Sequence, residues 1–438
     1  MSYNMTQKIE FRTYVRGYEP KAAFPHSSTF ARLGKCIFLL QKDERLQRTD
    51  LLIAQFGGKA CLGLQLDMWT DSETHTVYAA VTQTMCIDPT EDPGSTAAQL
   101  FLQSELIDFD VFPETAKTGP NIRKWFAEDV LVRNKIPCLA VISGVTPDGA
   151  ADGQCGLALI PDIREKVDTC LLHQLQRSVL YSIGLAGKTS KNPDAKHLLR
   201  KHNRVVMLSR QALAFGKDVK KAQTAAGVPE KNLLTLETTA VTRWGNQYKQ
   251  VSTNCVLRSG IDPSLEKYQQ NNRNNKEAIV ENDESEGGSK VGKAVAASEI
   301  GLDTLEWDQS QEIEAFLAYP YDIKETIEHA GICTGSQALI LLHDLKEKCC
   351  RAEAKLEVKE IPSSLSLAQR ERAVLLREGE DLHSMTTTAR SVMKEELHTR
   401  AFENRPSNSR LIQCFMSKQQ DAKEYLSLNH FENSSLCT

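Results

Sequence analysis

The most constraining stretch of this chain is Leu62–Thr70, LGLQLDMWT, in which apolar and polar residues alternate. A period of two belongs to a β-strand with one face buried, and here it places a carboxylate, Asp67, inside the strand. Asp71–Thr74 reads as a polar turn. His75–Ile87, HTVYAAVTQTMCI, is rich in β-branched and aromatic residues and predicts a second strand paired with the first. Asp88–Ser95 is a Pro/Gly/Asp loop, and Leu106–Phe112 predicts a third strand. Asn121–Val132 has helical periodicity. Pro137–Ser143 is a short apolar run suited to a buried strand, leading into a Gly-rich turn over Gly144–Gly153.

Three strands, a helix and a strand, in that order, are the opening of a ribonuclease-H-like domain. The expected fold class is α/β, a ribonuclease-H-like mixed sheet with flanking helices, followed by a large all-α insertion and C-terminal region. Apolar residues recur at helical steps in Cys170–Ile183, Leu198–Ala214, Leu305–Leu317, Ile323–His329, Ser336–Lys348, Leu367–Leu376 and Ala389–His398. Near the N-terminus, Phe30, Leu33, Ile37 and Leu40 give Ser28–Gln47 the same spacing. Gln269–Lys290 is polar, Asn/Glu/Gly-rich and free of aromatics, which predicts a solvated linker. The expected organisation is a helical support region over 1–60, the core over 61–185, the start of a helical insertion over 186–268, a linker over 269–300, a helical domain over 301–425 and a tail over 426–438.

With 438 residues, 41% of them hydrophobic and 25% charged, the chain can bury a sizeable core in two or three units. The formal net charge is −4, so a nucleic-acid surface would have to be a local patch. The 12 cysteines are scattered, with no Cys-x-x-Cys pair. The neighbourhood of the adjacent Cys349 and Cys350 does not suit a zinc site, and most thiols read as reduced in a cytosolic or nuclear protein. The N-terminal MSYNMTQKIEF lacks an apolar signal core, and no apolar run reaches the roughly 18–20 residues of a membrane span, so no membrane partner is expected.

Two carboxylates stand out. Asp67 is flanked by Leu66, Met68 and Trp69, which predicts a partly desolvated carboxylate paired with a cation or metal, and Asp148 lies in TPDGAADG after the short apolar strand. In a ribonuclease-H-like sheet those two strands are neighbours, so acids about 80 residues apart in sequence would sit side by side. Paired carboxylates hold Mg²⁺ or Mn²⁺ in two-metal phosphoryl transfer. The same Asp148 also reads as a turn former or helix cap.

Four motifs follow one another in the order found in the hAT superfamily of cut-and-paste DNA transposases. LDMWTD at Leu66–Asp71 resembles the family's first catalytic strand, and TPDGAADGQ at Thr146–Gln154 its second catalytic turn. CLLH at Cys170–His173 is similar to its Cys-x-x-His segment, and TRWGNQY at Thr242–Tyr248 to its Thr-Arg-Trp insertion-domain motif. The resemblance covers roughly residues 60–260. It implies that Asp67 and Asp148 are the first two acids of an Asp-Asp-Glu triad binding two Mg²⁺ or Mn²⁺. It further implies that His173 lies near the site and that Arg243 and Trp244 handle flanking DNA. The implied partners are transposon-end DNA and a second copy of the chain, in the nucleus. For Trp244 the plain alternative is a core aromatic, and for His173 a helix-packed histidine.

The sequence departs from the family in four respects. No Glu is marked as the third acid, although Glu395 and Glu396 fall in an expected helix. Asp152 stands where the family commonly has Asn, and neither an N-terminal zinc finger nor the family's dimerisation signature is found. Two readings therefore stand: a metal-dependent strand-cleaving transposase, or a catalytically inactive remnant that binds DNA or protein.

Overall fold

The computed structural model describes residues 42, 44–51, 53–54, 57–58, 62–71, 75–87, 101–114, 116–137, 139–148, 151–236, 244–272, 279–282, 292–296, 299–329, 335–366 and 372–403. The chain divides into two compact units, Met1–Thr169 and Cys170–Thr438. The helix expected over Ser28–Gln47 lies largely outside the described residues, which show helix over 44–51.

The first unit is built on β1 (Leu62–Thr70), β2 (Val77–Ile87), β3 (Phe101–Val111) and β4 (Ile142–Pro147), in the order β3-β2-β1-β4. The first three strands are antiparallel and β4 runs parallel to β1, so the sheet is mixed. Alternation drives β1 as expected. Leu62, Leu64, Leu66 and Met68 are all buried, with Ala79, Val81, Ile107 and Val145, in one core. Burying side chains of this size contributes about 1.5–3 kcal/mol each.

That core is closed by α1, an α-helix over Gly119–Lys124 that continues through a π-helical turn, Trp125–Val130, to Leu131–Arg133. The turn sends Trp125, Phe126 and Val130 inward, and Trp125 meets Phe112 edge to face. The short α2 (Ala151–Ala158) crosses α1 closely. A Cβ on Gly156 would lie 2.9 Å from both the Gly119 carbonyl oxygen and Ile122 Cβ, so only glycine fits there. After the short α3 (Pro161–Arg164), Asp168 N–H donates to the Val145 carbonyl, extending the sheet by one bridge.

In this unit the structure moves several expected boundaries. Pro137–Ser143 is not the strand: Leu139–Val141 forms a 3₁₀ turn and the strand begins at Ile142. Pairing to β1 sets that register, which an apolar run alone does not specify. Gly144 lies inside the strand rather than in a turn, and a helix starts at Ala151. The third strand begins at Phe101 rather than Leu106.

The second unit contains α4 (Leu171–Ser182), α5 (Pro193–Gln211), α6 (Leu213–Ala225), α7 (Trp244–Asn271), α8 (Thr304–His329), α9 (Gly335–Lys348) and α10 (Ser384–Leu397), the last continuing as a π turn over His398–Glu403. Leu175, Val205, Val251, Phe316, Leu342 and Met393 belong to one core, so residues expected in the 61–185 core, the insertion and the C-terminal region pack together. Asn192 ties three helices. Its side-chain oxygen caps α5 at Ala195 N–H (3.2 Å), while its Nδ2 donates to the Ser182 and Met385 carbonyls at 2.9 and 3.0 Å. Gly184, at φ +73°, ends the α4 turn where any Cβ would meet the Asn192 carbonyl.

Two hairpins interrupt the helices. Ile279–Asn282 (β5) pairs with Gly292–Val295 (β6) inside the expected linker, and Leu356–Lys359 (β7) pairs with Val374–Arg377 (β8). The second hairpin corrects the helix expected over Leu367–Leu376, of which residues 367–371 lie outside the described set. Its helix-favouring composition is overridden by contacts to α8. The two helices expected over 305–329 form the single α8, which runs through Pro320.

Candidate functional site

Asp67 lies on β1, and β4 is the strand beside it. The last paired position is Leu66–Pro147, and Asp148 N–H then donates to the Leu66 carbonyl at 2.8 Å. Parallel strands in register place equivalent side chains on one face, so Asp148 is level with Asp67. Asp67 is exposed, not partly desolvated as its neighbours in sequence had suggested. Leu66 and Met68 point to the opposite face, and adjacency in sequence is not adjacency in space along a strand. Asp148 is half-buried over the start of α2, where its Oδ1 lies 3.8 Å from the position a Cβ would take on Gly153.

Trp69 shares the face of Asp67 and is 40% exposed. It stacks on Tyr78 of β2 with ring centroids 5.8 Å apart, and Tyr78 in turn lies parallel to the exposed Phe109 of β3 at 6.1 Å. The result is an aromatic strip across three strands. Lys117, from the β3–α1 connection, donates to the Met68 carbonyl at 3.2 Å and brings an ammonium to the same strand end. Sequence reading missed both features. The signal for Trp69 was its parity with Asp67 in LDMWT, whereas nothing local marked Lys117.

The other expected site residues belong to the helical unit. His173 lies half-buried in the first turn of α4, after Cys170 at the N-cap position. Trp244 opens α7 but is only 2% exposed, its ring meeting Tyr321 of α8 edge to face at 6.2 Å. In this position the indole offers no open face for a base. Arg243 lies outside the described residues.

Glu395 and Glu396, the two glutamates of the expected helix, both pair with Lys191. Glu396 accepts from Lys191 at 2.8 Å and Arg400 at 2.6 Å, and Glu395 lies 3.5 Å from Lys191. Burial alone would raise the Glu396 carboxyl, but the Lys191 and Arg400 contacts hold it below its usual range.

Among the described residues, one group of three side chains is spaced to share a metal ion: Asp308 and Glu312 on α8, with His383. Its chemistry argues against that use. Arg377 Nη2 donates to Asp308 at 2.6 Å and Arg377 Nη1 to Glu312 at 2.7 Å, while the His383 ring reaches Asp308 at 2.8 Å. The Arg377 guanidinium beside Asp308 holds that carboxyl below its usual range. A cation is already present, and a metal would have to displace it. Nearby, Arg372 Nη1 contacts both oxygens of Glu314 at 2.5 and 2.6 Å and donates from Nε to the Glu360 carbonyl. Arg372 and Arg377 thus fasten the β7–β8 hairpin to α8.

No family model matches the chain, and no curated protein matches it.

Proposed function

We propose that the first unit is a ribonuclease-H-like core of the hAT transposase type, acting on DNA with Asp67 and Asp148 as two of its metal-binding acids. The reading rests on the Asp148–Leu66 backbone hydrogen bond, which sets both motif acids level on adjacent parallel strands. The order of three strands, a helix and a parallel fourth strand supports it. Two carboxylates at neighbouring strand ends suit a hard divalent cation, since Mg²⁺ commonly takes one or two carboxylates with water and substrate phosphate filling the rest. Such a cation, Mg²⁺ or Mn²⁺, supplies activation of the attacking oxygen and stabilisation of the leaving one. Trp69, Tyr78 and Phe109 suit stacking of unpaired bases, and Lys117 suits a phosphate. Transposon ends are the DNA partner in this reading, with self-association and nuclear residence as its corollaries. Arg243 keeps its place as a phosphate contact. The buried Trp244 instead anchors the start of α7, and His173 serves as a packed helix residue.

The pairing of Glu396 with Lys191 and Arg400, together with the lack of a marked third acid in the sequence, favours a second reading, a remnant that binds DNA without cutting it. One missing ligand can abolish two-metal phosphoryl transfer. Incubation of the full chain with supercoiled plasmid in Mg²⁺ or Mn²⁺ separates the two. Metal-dependent nicking lost in Asp67→Asn and Asp148→Asn supports the enzyme. DNA binding without nicking supports the remnant, and absence of both overturns the DNA reading.

A further inference from the structure

The chain carries a net charge of −4, yet its basic residues are not evenly spread. Residues 193–225, which form α5 and α6, hold eight Lys and Arg against two Asp. On α5, Lys201 is taken by Glu306 at 2.5 Å. On α6, Lys217, Lys220 and Lys221 are all exposed, and Asp218, the one acid of that helix, is already held by Lys267 of α7 at 2.7 Å. Lysines three and four residues apart are neighbours on a helix surface, where like charges destabilise the helix. None of them lies in the last turn, so the helix dipole does not account for them.

A groove runs beside these lysines. α6 lies against the C-terminal half of α7, where a Cβ on Gly260 would stand 3.4 Å from Ala222 Cβ. The space between the two helices measures about 210 Å³, and Lys217, Lys221, Ser264, Lys267, Tyr268 and Asn271 are among the residues that line it. Three of its charged groups are ammonium and one, Asp218, is carboxylate. A wider, more open groove of about 550 Å³ follows Lys217, Lys220 and Lys221 to Thr224. Within the narrower groove Phe215 is buried and Tyr268 packs against the helical core. What this surface presents to solvent is a row of point charges.

We propose that the α6–α7 groove of the helical unit grips the phosphate backbone of duplex DNA without regard to sequence, with Lys217, Lys220 and Lys221 as the phosphate contacts and Lys267 on the opposite wall. Lysine meets phosphate as a compact point charge, and contacts to phosphate position a duplex without reading its bases. Each phosphate neutralised releases condensed counterions, so the affinity falls steeply as salt rises. The local basic patch that an acidic chain needs for a nucleic-acid surface is thereby located on one helix. The choice of DNA as the polyanion rests on the reading of the first unit, whereas the basic groove itself does not. In that reading the strip of Trp69, Tyr78 and Phe109 takes unpaired bases, and the lysine row takes paired DNA.

The test follows binding of the full chain to a labelled duplex of arbitrary sequence by fluorescence anisotropy across a range of salt. The variant Lys217→Gln/Lys220→Gln/Lys221→Gln alters only exposed side chains and is expected to fold as the wild type does, which its thermal midpoint checks. It is expected to weaken the complex about tenfold or more. It is also expected to lower the slope of log affinity against log salt by about one per lysine, equally on a second duplex of unrelated sequence. Wild-type binding with an unchanged slope in the variant would overturn the groove and leave the first-unit reading intact. A slope lost in the variant, with Asp67→Asn/Asp148→Asn nicking plasmid no differently from the wild type, would retire the metal site and support the groove. No binding to duplex, or binding to phosphatidylserine vesicles that duplex does not displace, would also overturn the proposal.

Discussion

Asp148 donates its backbone N–H to the carbonyl oxygen of Leu66 at 2.8 Å, so a backbone pairing, not a contact between carboxylates, brings Asp148 level with Asp67. The two acids are held in place by the strands that carry them. A ligand-directed substitution can therefore remove a carboxylate without disturbing the sheet.

Metal binding should respond to each acid separately. Titration of the full chain with Mn²⁺, followed by the electron paramagnetic resonance of the free ion, is expected to show binding weakened about tenfold or more by Asp67→Asn or Asp148→Asn, and no site in the double variant. Thermal unfolding without metal should be unchanged for Asp67→Asn, because that side chain is exposed. Superimposable isotherms for wild type and double variant would remove these residues from any metal site.

Single-stranded DNA should be sensitive to the aromatic strip. Stacking contributes about 1–3 kcal/mol per base, so Trp69→Ala is expected to weaken an oligonucleotide complex by roughly tenfold or more. Trp244→Ala should destabilise the helical unit, since its indole is buried. A fluorescence-anisotropy titration checks the first effect and denaturant unfolding the second.

The buried pair Arg372–Glu314 should be costly to break and cheap to replace. The two side chains are 4% and 3% exposed. Arg372→Met leaves Glu314 buried without its cation and is expected to cost about 3–5 kcal/mol, whereas pairing it with Glu314→Met should recover most of the loss. Urea midpoints of the three variants decide this. A single variant costing no more than the double would show that the pair is not coupled.

Acid should destabilise the helical unit before the carboxylates titrate. His202 lies in the core with its ring nitrogens bonded to Ser310 Oγ at 2.8 Å and Asn254 Nδ2 at 3.0 Å, and burial pushes its pKa down to about 3 from 6.5. The unfolded chain therefore binds a proton that the folded chain refuses. Stability is complete above pH 6.5 and declines as pH falls toward 3, by up to about 1.4 kcal/mol per pH unit. Between pH 7 and 5 the expected loss is about 2 kcal/mol, and His202→Gln should flatten it. Asp308 and Glu396, both held low by cations, add their own loss only below the usual carboxylate range, so the two effects separate.

Periodicity made several elements legible in the sequence. The alternation of Leu62–Thr70 and the β-branched run after it gave two strands within two residues of their observed ends, and the steps in Cys170–Ile183 and Ser336–Lys348 gave α4 and α9. The same alternation already held the exposure of Asp67 and Trp69, since both have opposite parity to Leu66 and Met68. By contrast, Val374–Arg377 sits in a segment with the composition of a helix and becomes a strand because Leu356–Lys359 pairs with it and Arg372 and Arg377 bind α8 carboxylates.

The sequence alone determined which faces of its strands and helices are apolar, because side-chain direction follows the local period of the backbone. Only the tertiary structure decided that Asp148 stands beside Asp67, that Trp244 is enclosed against Tyr321, and that Glu396 is taken by Lys191 and Arg400. Each depends on a partner distant in sequence, and pairing between distant segments is set by register and packing, which no local pattern encodes.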